Sequence, residues 1–335
     1  MIHYLVTRDH AYTMQTFLET WNRDTVGRVS FEVYEDLPYW RHIAGGTYIF
    51  SDLERLSAPQ LRLAQSYADQ LRRHGAKIIN EPRHVLRRYD LLKLMNQTGI
   101  NPFGVYRLNE PRAGLKFPVF VREENEHTGS LTDLLQTEAE LQQAIAALIA
   151  KGDDSRQLLI VEYCHTADEQ GIFRKYAAMK IDGKIIPRHV LFSGEWVDKH
   201  PDVLDVQKLA EEAAYLKLNP HREELAAIFE LAKIEYGRID YAYADGQVIV
   251  WEINTNPVIA PVPSKCDPER LPGQARSANA ISAALESLDT PTNGQVIDLH
   301  YDRQLIRDVG VSPIREATAK AKRMMRACPI LGALL

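Results

Sequence analysis

Residues 237–257 read GRIDYAYADGQVIVWEINTNP, from Gly237 to Pro257. The run has the pattern of a β-hairpin over Arg238–Ile253, turning at Asp245-Gly246, a dipeptide that accepts left-handed backbone. It carries three oxygen donors: Asp240, Glu252 and Asn254. Magnesium takes hard oxygen ligands in octahedral geometry and usually keeps substrate phosphates among them, so two carboxylates and an amide on neighbouring strands supply a half-shell. Glu252 and Asn254 are two apart and share one face of their strand, while Ile249, Trp251 and Ile253 point the other way, into a core. Asp240 joins them in only one register. A two-residue turn at Asp245-Gly246 pairs Asp240 with Trp251 and sends it to the opposite face. An odd-numbered loop, or a bulge beside Gly246, puts it on the Glu252 face. The expectation is an irregular turn of three or five residues, or a bulge. The competing reading is a solvated hairpin whose polar face meets water.

Outward from the hairpin the chain alternates strand and helix signals. Ile2–Thr7, Val29–Tyr34, Thr47–Phe50 and Lys77–Asn80 read as strands. Helical patterns run to Trp21 and onward from Ser57, an N-cap with Pro59 in the first turn. That alternation predicts a doubly wound, mostly parallel α/β unit. A helix over Val85–Gly99 carries Arg87, Arg88 and Lys93. Strands at Phe117–Arg122 and Leu158–Tyr163 flank a helix near Glu138–Ala150, the size of a small lobe. Arg174–Ile181 and Lys184–Leu191 form a hairpin at Asp182-Gly183. Helices follow near Asp205–Leu216, His221–Tyr236 and, after the metal-type hairpin, Gln274–Leu288; Thr290–Gly294 reads as a linker.

Composition bounds the partners. A formal net charge of −5 over 335 residues gives no electrostatic reason for nucleic acid as a partner. No run approaches a membrane span. Cys164, Cys266 and Cys328 stand alone with no CxxC spacing, which fits a reducing cytoplasm and small buried apolar roles.

The hairpin sequence resembles the C-terminal metal hairpin of the ATP-grasp superfamily, which includes glutathione synthetase, glutamate ligases and D-alanine–D-alanine ligase. That resemblance implies an ATP-grasp architecture, α/β with α+β lobes. Residues 1–84 would form the N-terminal α/β domain, 85–165 a linker helix and small lid lobe, 166–290 the large lobe, and 291–335 a C-terminal extension. It implies ATP and two magnesium ions, with manganese as an alternative, held by Asp240, Glu252 and Asn254, and Arg238 facing the transferring phosphate. Arg122 stands where the family's lid strand carries lysine; its other reading is a salt-bridge partner of Glu123 or Glu124. The family's helix lysine is also missing, so Arg88 or Lys93 would serve. His127-Thr128-Gly129-Ser130 takes the place of the glycine-rich phosphate loop, with Gly129 and Ser130 as its contacts. Glu162, with Tyr163 and Cys164, would hold the adenine, and Asp168 or Glu169 would sit near the ribose unless they are solvated loop acids. On the Phe173-Arg174-Lys175 and Pro187-Arg188-His189 strand pair, Arg188 and then Arg174 would face phosphates and substrate. Lys199 and His200 would close the substrate side.

The implied activity is ATP-dependent ligation of a small-molecule or peptide carboxylate to an amine or thiol, through an acyl phosphate. Two alternatives use the same fold: a small-molecule kinase and a non-catalytic nucleotide-binding protein. A homodimer is compatible with the reading. The basic segment Ser312–Leu335, with Met324, Met325, Ile330 and Leu331, either docks on the enzyme's own surface or meets a partner or membrane surface.

Overall fold

The computed structural model describes residues 1–125, 129–196, 203–291, 294–300 and 302–310. His127, Thr128, Lys199, His200 and the segment Ser312–Leu335 lie outside the described residues. In chain order the strands are β1 (Ile2–Val6), β2 (Val29–Val33), β3 (His42–Ala44), β4 (Thr47–Phe50), β5 (Lys77–Ile79), β6 (Val105–Arg107) and β7 (Val119–Glu123). They continue with β8 (Leu158–Glu162), β9 (Phe173–Ile181), β10 (Lys184–Ser193), β11 (Tyr236–Ala244), β12 (Gln247–Asn254) and β13 (Val296–Asp298). The α-helices are α1 (Tyr12–Trp21), α2 (Ala58–Arg73), α3 (Arg88–Gln97), α4 (Glu138–Lys151), α5 (Val206–Leu218), α6 (Arg222–Ala232), α7 (Leu271–Glu286) and α8 (Arg303–Val309).

Two compact units result. One comprises residues 1–11, 27–83 and the described residues from Leu288 onward. Its sheet has the order β2-β1-β4-β5 with every pair parallel, the doubly wound topology that the strand–helix alternation predicts. β1 is buried along its whole length, as a strand covered on both faces must be. Ser57 caps α2 in a reciprocal capping box with Gln60. Beyond the expected linker at Thr290–Gly294, β13 pairs antiparallel with β3, and α8 packs on α2.

The other unit comprises residues 12–26 and 84–287. A small antiparallel sheet, β6-β8-β7, packs Val119, Val121, Leu158 and Ile160 against Leu141, Ile145 and Leu148 of α4. A larger antiparallel sheet has the order β10-β9-β11-β12. One of its faces buries Ala178, Val190, Phe192, Ile239, Tyr241, Val248 and Val250 against α3, α5 and α6. The helix expected over His221–Tyr236 stops at Ala232, where Lys233 takes a left-handed φ of 57° as the C-cap. Tyr236 and Gly237 already belong to β11, and a Cβ at Gly237 would lie 2.9 Å from the carbonyl oxygen of Asn254. Glycine is therefore what lets β11 and β12 close at this end.

Candidate nucleotide and metal site

The hairpin turn is a regular two-residue turn: Ala244 pairs with Gln247, and Asp245 and Gly246 have φ of 52° and 78°. This corrects the expectation of an irregular turn. The irregularity lies further up the strand. Tyr241 pairs with Val250, but the next pair is Asp240 with Glu252, so Trp251 is an extra residue. Val248 and Val250 face the core, and unbroken alternation would send Glu252 there too. The bulge moves it to the other face, opposite Asp240. Trp251 is drawn the same way by Phe103, whose ring stacks on it at 5.5 Å. The expected common core of Ile249, Trp251 and Ile253 is also corrected: Ile249 and Trp251 pack against the small sheet, and Ile253 against the main core. Because the register is shared, Arg238 stands opposite Asn254 and all four motif residues occupy one face.

Both carboxylates are held by cations. Asp240, 1% exposed, accepts from Arg238 Nε at 2.6 Å and Nη2 at 3.1 Å, with Lys175 Nζ at 3.3 Å. Burial works against the Arg238 charge, but Asp240 outweighs it and its pKa rises. Glu252 accepts from Arg88 Nη2, and Arg122 Nη2 stands 3.6 Å away. Arg88 is anchored in turn by the carbonyl oxygens of Glu124 at 2.8 Å and Glu123 at 3.2 Å. Burial and the like charge of Arg88 lower Arg122 to about 10, which leaves it protonated at neutral pH. Asn254 Oδ1 accepts the Asn256 N–H at 2.7 Å. Two facing carboxylates and an amide oxygen fit magnesium, whose charge would replace that of the pairing cations. Among the described residues no three His, Cys, Asp or Glu side chains cluster as a metal cage. Such a half-shell needs phosphate or water oxygens to complete it.

Asp240 and Glu252 lie on the wall of a cleft, together with Arg122, Gly129, Ser130, Tyr163, Cys164 and Arg174 from the sequence-derived set. Phe120, Trp196, Phe173 and Trp251 add aromatic walls, with Trp196 5.0 Å from Phe120 and 5.7 Å from Tyr163. Arg174 is fixed there by Asp168 at 2.5 Å and Glu211 at 2.6 Å. Burial raises the Cys164 thiol pKa, with Asp245 adding to it.

Other expected residues are placed elsewhere. Glu162 does not line the cleft: Val161 and Tyr163 do, and strand alternation turns Glu162 away. Its carboxylate accepts the N–H groups of Gly104 at 2.7 Å and Lys116 at 2.8 Å. Lys93 pairs with Glu110 at 3.3 Å, outside the cleft wall, and Arg88 reaches the cleft only through Glu252. Glu169 is exposed and off the wall. Arg188 is the bulge residue of β10, 3% exposed, and donates to Ile259 O and Gln274 Oε1. Lys175, beside the expected Arg174, is a further cation on the cleft wall. Tyr241 pairs with Tyr176 and Asp240 with Ala177, so Lys175 falls on the Asp240 face. Only the cross-strand register carries that signal.

No family model matches the chain, and no curated protein matches it. Among solved structures, the ATP-grasp ligase PsnB complexed with a minimal precursor is similar at 13% identity and a TM-score of 0.50, over 86% of this chain and 99% of that one. The chain has the ATP-grasp fold. D-alanine–D-alanine ligase from Bacillus anthracis complexed with ATP matches at 14% identity and a TM-score of 0.46, over 86% of this chain and 95% of that one. N5-carboxyaminoimidazole ribonucleotide synthetase from Thermotoga maritima matches at 14% identity and a TM-score of 0.44, over 76% and 68%. At such identities the ATP-grasp likeness fixes the fold and not the reaction. No helix among the described residues is long and apolar enough to cross a membrane.

Proposed function

We propose that the protein is an ATP- and magnesium-dependent ligase that joins a carboxylate to an amine or thiol through an acyl phosphate. The observation that carries this reading is the facing pair Asp240 and Glu252 on the wall of an aromatic, cation-lined cleft. Asp240, Glu252 and Asn254 would hold magnesium, which when bound neutralises charge on the transferring phosphate. The cations on the cleft wall then become available: Arg122 and Lys175 exchange carboxylate for phosphate oxygens. Phe120, Trp196 and Tyr163 offer ring faces to the base, a contact worth about 1–3 kcal/mol per base. Arg238, two residues from Asp240, stabilises negative charge at the transferring group. The substrate carboxylate oxygen attacks the γ-phosphorus, the bond from that phosphorus to the bridging oxygen breaks and ADP leaves; the amine or thiol then displaces phosphate from the acyl carbon and loses its proton. A protein nucleophile is not required.

The test is incubation with ATP, magnesium and a panel of carboxylic acids in hydroxylamine, read as hydroxamate. Acid-dependent hydroxamate with ADP release supports the ligase. A stable phosphorylated alcohol instead makes the protein a kinase, and nucleotide binding with no turnover across the panel makes it a nucleotide-binding protein.

A further inference from the structure

Asn254 ends β12, and the loop that follows it is held by side chains from three elements. Thr13 Oγ1, in the first turn of α1, donates to Asn256 Oδ1 at 2.6 Å. Trp21 Nε1, at the end of the same helix, donates to the Pro261 carbonyl at 2.8 Å. Arg238 Nη1 donates to the Val258 carbonyl at 3.2 Å, and Arg188 Nε to that of Ile259. At a rise of 1.5 Å per residue the two α1 donors lie about 12 Å apart along the axis, so the helix braces the loop lengthwise. α1 belongs to the same unit as the hairpin, although the chain on either side of it, residues 1–11 and 27–83, belongs to the other. The Thr13 contact reaches the metal-type face. Asn256 gives its own N–H to Asn254 Oδ1 at 2.7 Å, the turn in which an Asn side chain accepts from the backbone two residues on. Of the two ends of an amide only the oxygen accepts such a bond, and it has two lone pairs. The contact therefore fixes which end of the Asn254 amide is which and leaves one lone pair for an ion. Thr13, Asn256 and Asn254 are all buried, so a partner lost from this chain is not replaced cheaply by water.

Resting on the metal site of the ligase reading, we propose that Thr13 is a positioning residue for the magnesium ion. Its hydroxyl holds the Asn256 side chain, and the Asn256 N–H in turn holds the Asn254 oxygen where it can ligate. Partners that orient a metal ligand in this way change metal affinity by roughly 10–100-fold when they are removed. None of the three residues lines the cleft wall, so the effect falls on the ion and not on the nucleotide.

The test compares the parent protein with Thr13→Val, which keeps the shape and loses the hydroxyl, and with Thr13→Ser, which keeps the hydroxyl. Manganese affinity is read by electron paramagnetic resonance with a saturating non-hydrolysable ATP analogue, and affinity for the analogue alone by calorimetry without metal. The expected result is manganese binding weakened roughly 10–100-fold in Thr13→Val and restored in Thr13→Ser, with metal-free analogue affinity changed less than about threefold. Unchanged manganese affinity in Thr13→Val overturns the proposal. An equal loss of metal-free analogue affinity, or a Thr13→Ser variant no better than Thr13→Val, marks a merely structural role and overturns it too. Should Thr13→Val not fold, Asn256→Ala breaks the same contact from the loop side and is read in the same way; if neither folds, the contact serves packing and the proposal falls. A parent protein that binds manganese with nucleotide while the variants match it leaves the ligase reading standing. A parent protein that binds none overturns the magnesium site of that reading, and the positioning role with it.

Discussion

Asp240 and Glu252 face one another across the hairpin because Trp251 is an extra residue between Val250 and Glu252. The turn is regular, so the bulge alone decides which face Glu252 takes. Removing Trp251 lets Glu252 follow Val250 directly, with the parity that keeps it opposite Asp240. The deletion should therefore retain magnesium-dependent nucleotide binding while losing roughly 3 kcal/mol of stability through the vacated contact with Phe103. Calorimetric titration beside a denaturation curve checks it; a folded deletion variant that binds nucleotide without metal dependence contradicts the register argument.

Glu252 also neutralises Arg88, which is 8% exposed. Glu252→Gln leaves that guanidinium buried without its carboxylate, and breaking such a pair from one side costs about 3–5 kcal/mol. Denaturant unfolding of the metal-free protein should show it. A change below the scatter of the measurement would mean that Arg122 and the carbonyl contacts compensate fully.

For Glu162 the expectation is structural. Both carboxylate oxygens accept backbone N–H groups away from the cleft. Glu162→Gln turns a double acceptor into one with a mismatched amide and should cost about 1–3 kcal/mol, leaving nucleotide affinity unchanged. A variant of parental stability with weakened ATP binding would restore Glu162 to the site.

Asp168 fixes the turn that presents Arg174 to the cleft. The N–H of Ile172, and then Arg174, hold its carboxyl down to about 2. A depressed carboxylate stabilises the fold above its unfolded pKa of about 3.9 and loses that contribution as pH falls through the folded value. Melting curves of the parent and Asp168→Asn should therefore differ above about pH 4 and converge on approaching pH 2. A difference that persists unchanged in acid would remove the charge from the explanation.

The sequence made the fold and the metal-type donors legible because both are patterns of parity and spacing: alternating strands and helices, and Glu-x-Asn with an Asp on the partner strand. Single-strand parity failed where the ladder broke. Parity alone puts Trp251 on the same side as Ile253 and the needed irregularity at or beside the Asp245-Gly246 turn, whereas the bulge is set by what Trp251 packs against and not by local turn chemistry. Lys175 is illegible in the sequence for a related reason: its place beside Asp240 depends on how β9 and β11 pair. Glu162 was legible as an acid on the hinge strand, but its orientation depended on Val161 and Tyr163 taking the cleft side.

On the proposed function, the Asp240–Glu252 face holds a divalent ion together with nucleotide. Electron paramagnetic resonance of manganese, titrated into the protein with a non-hydrolysable ATP analogue, tests it most directly. The expected result is a bound signal that needs nucleotide and weakens at least tenfold in Asp240→Asn, with circular dichroism unchanged. Equal manganese binding by the parent and the folded variant would contradict it.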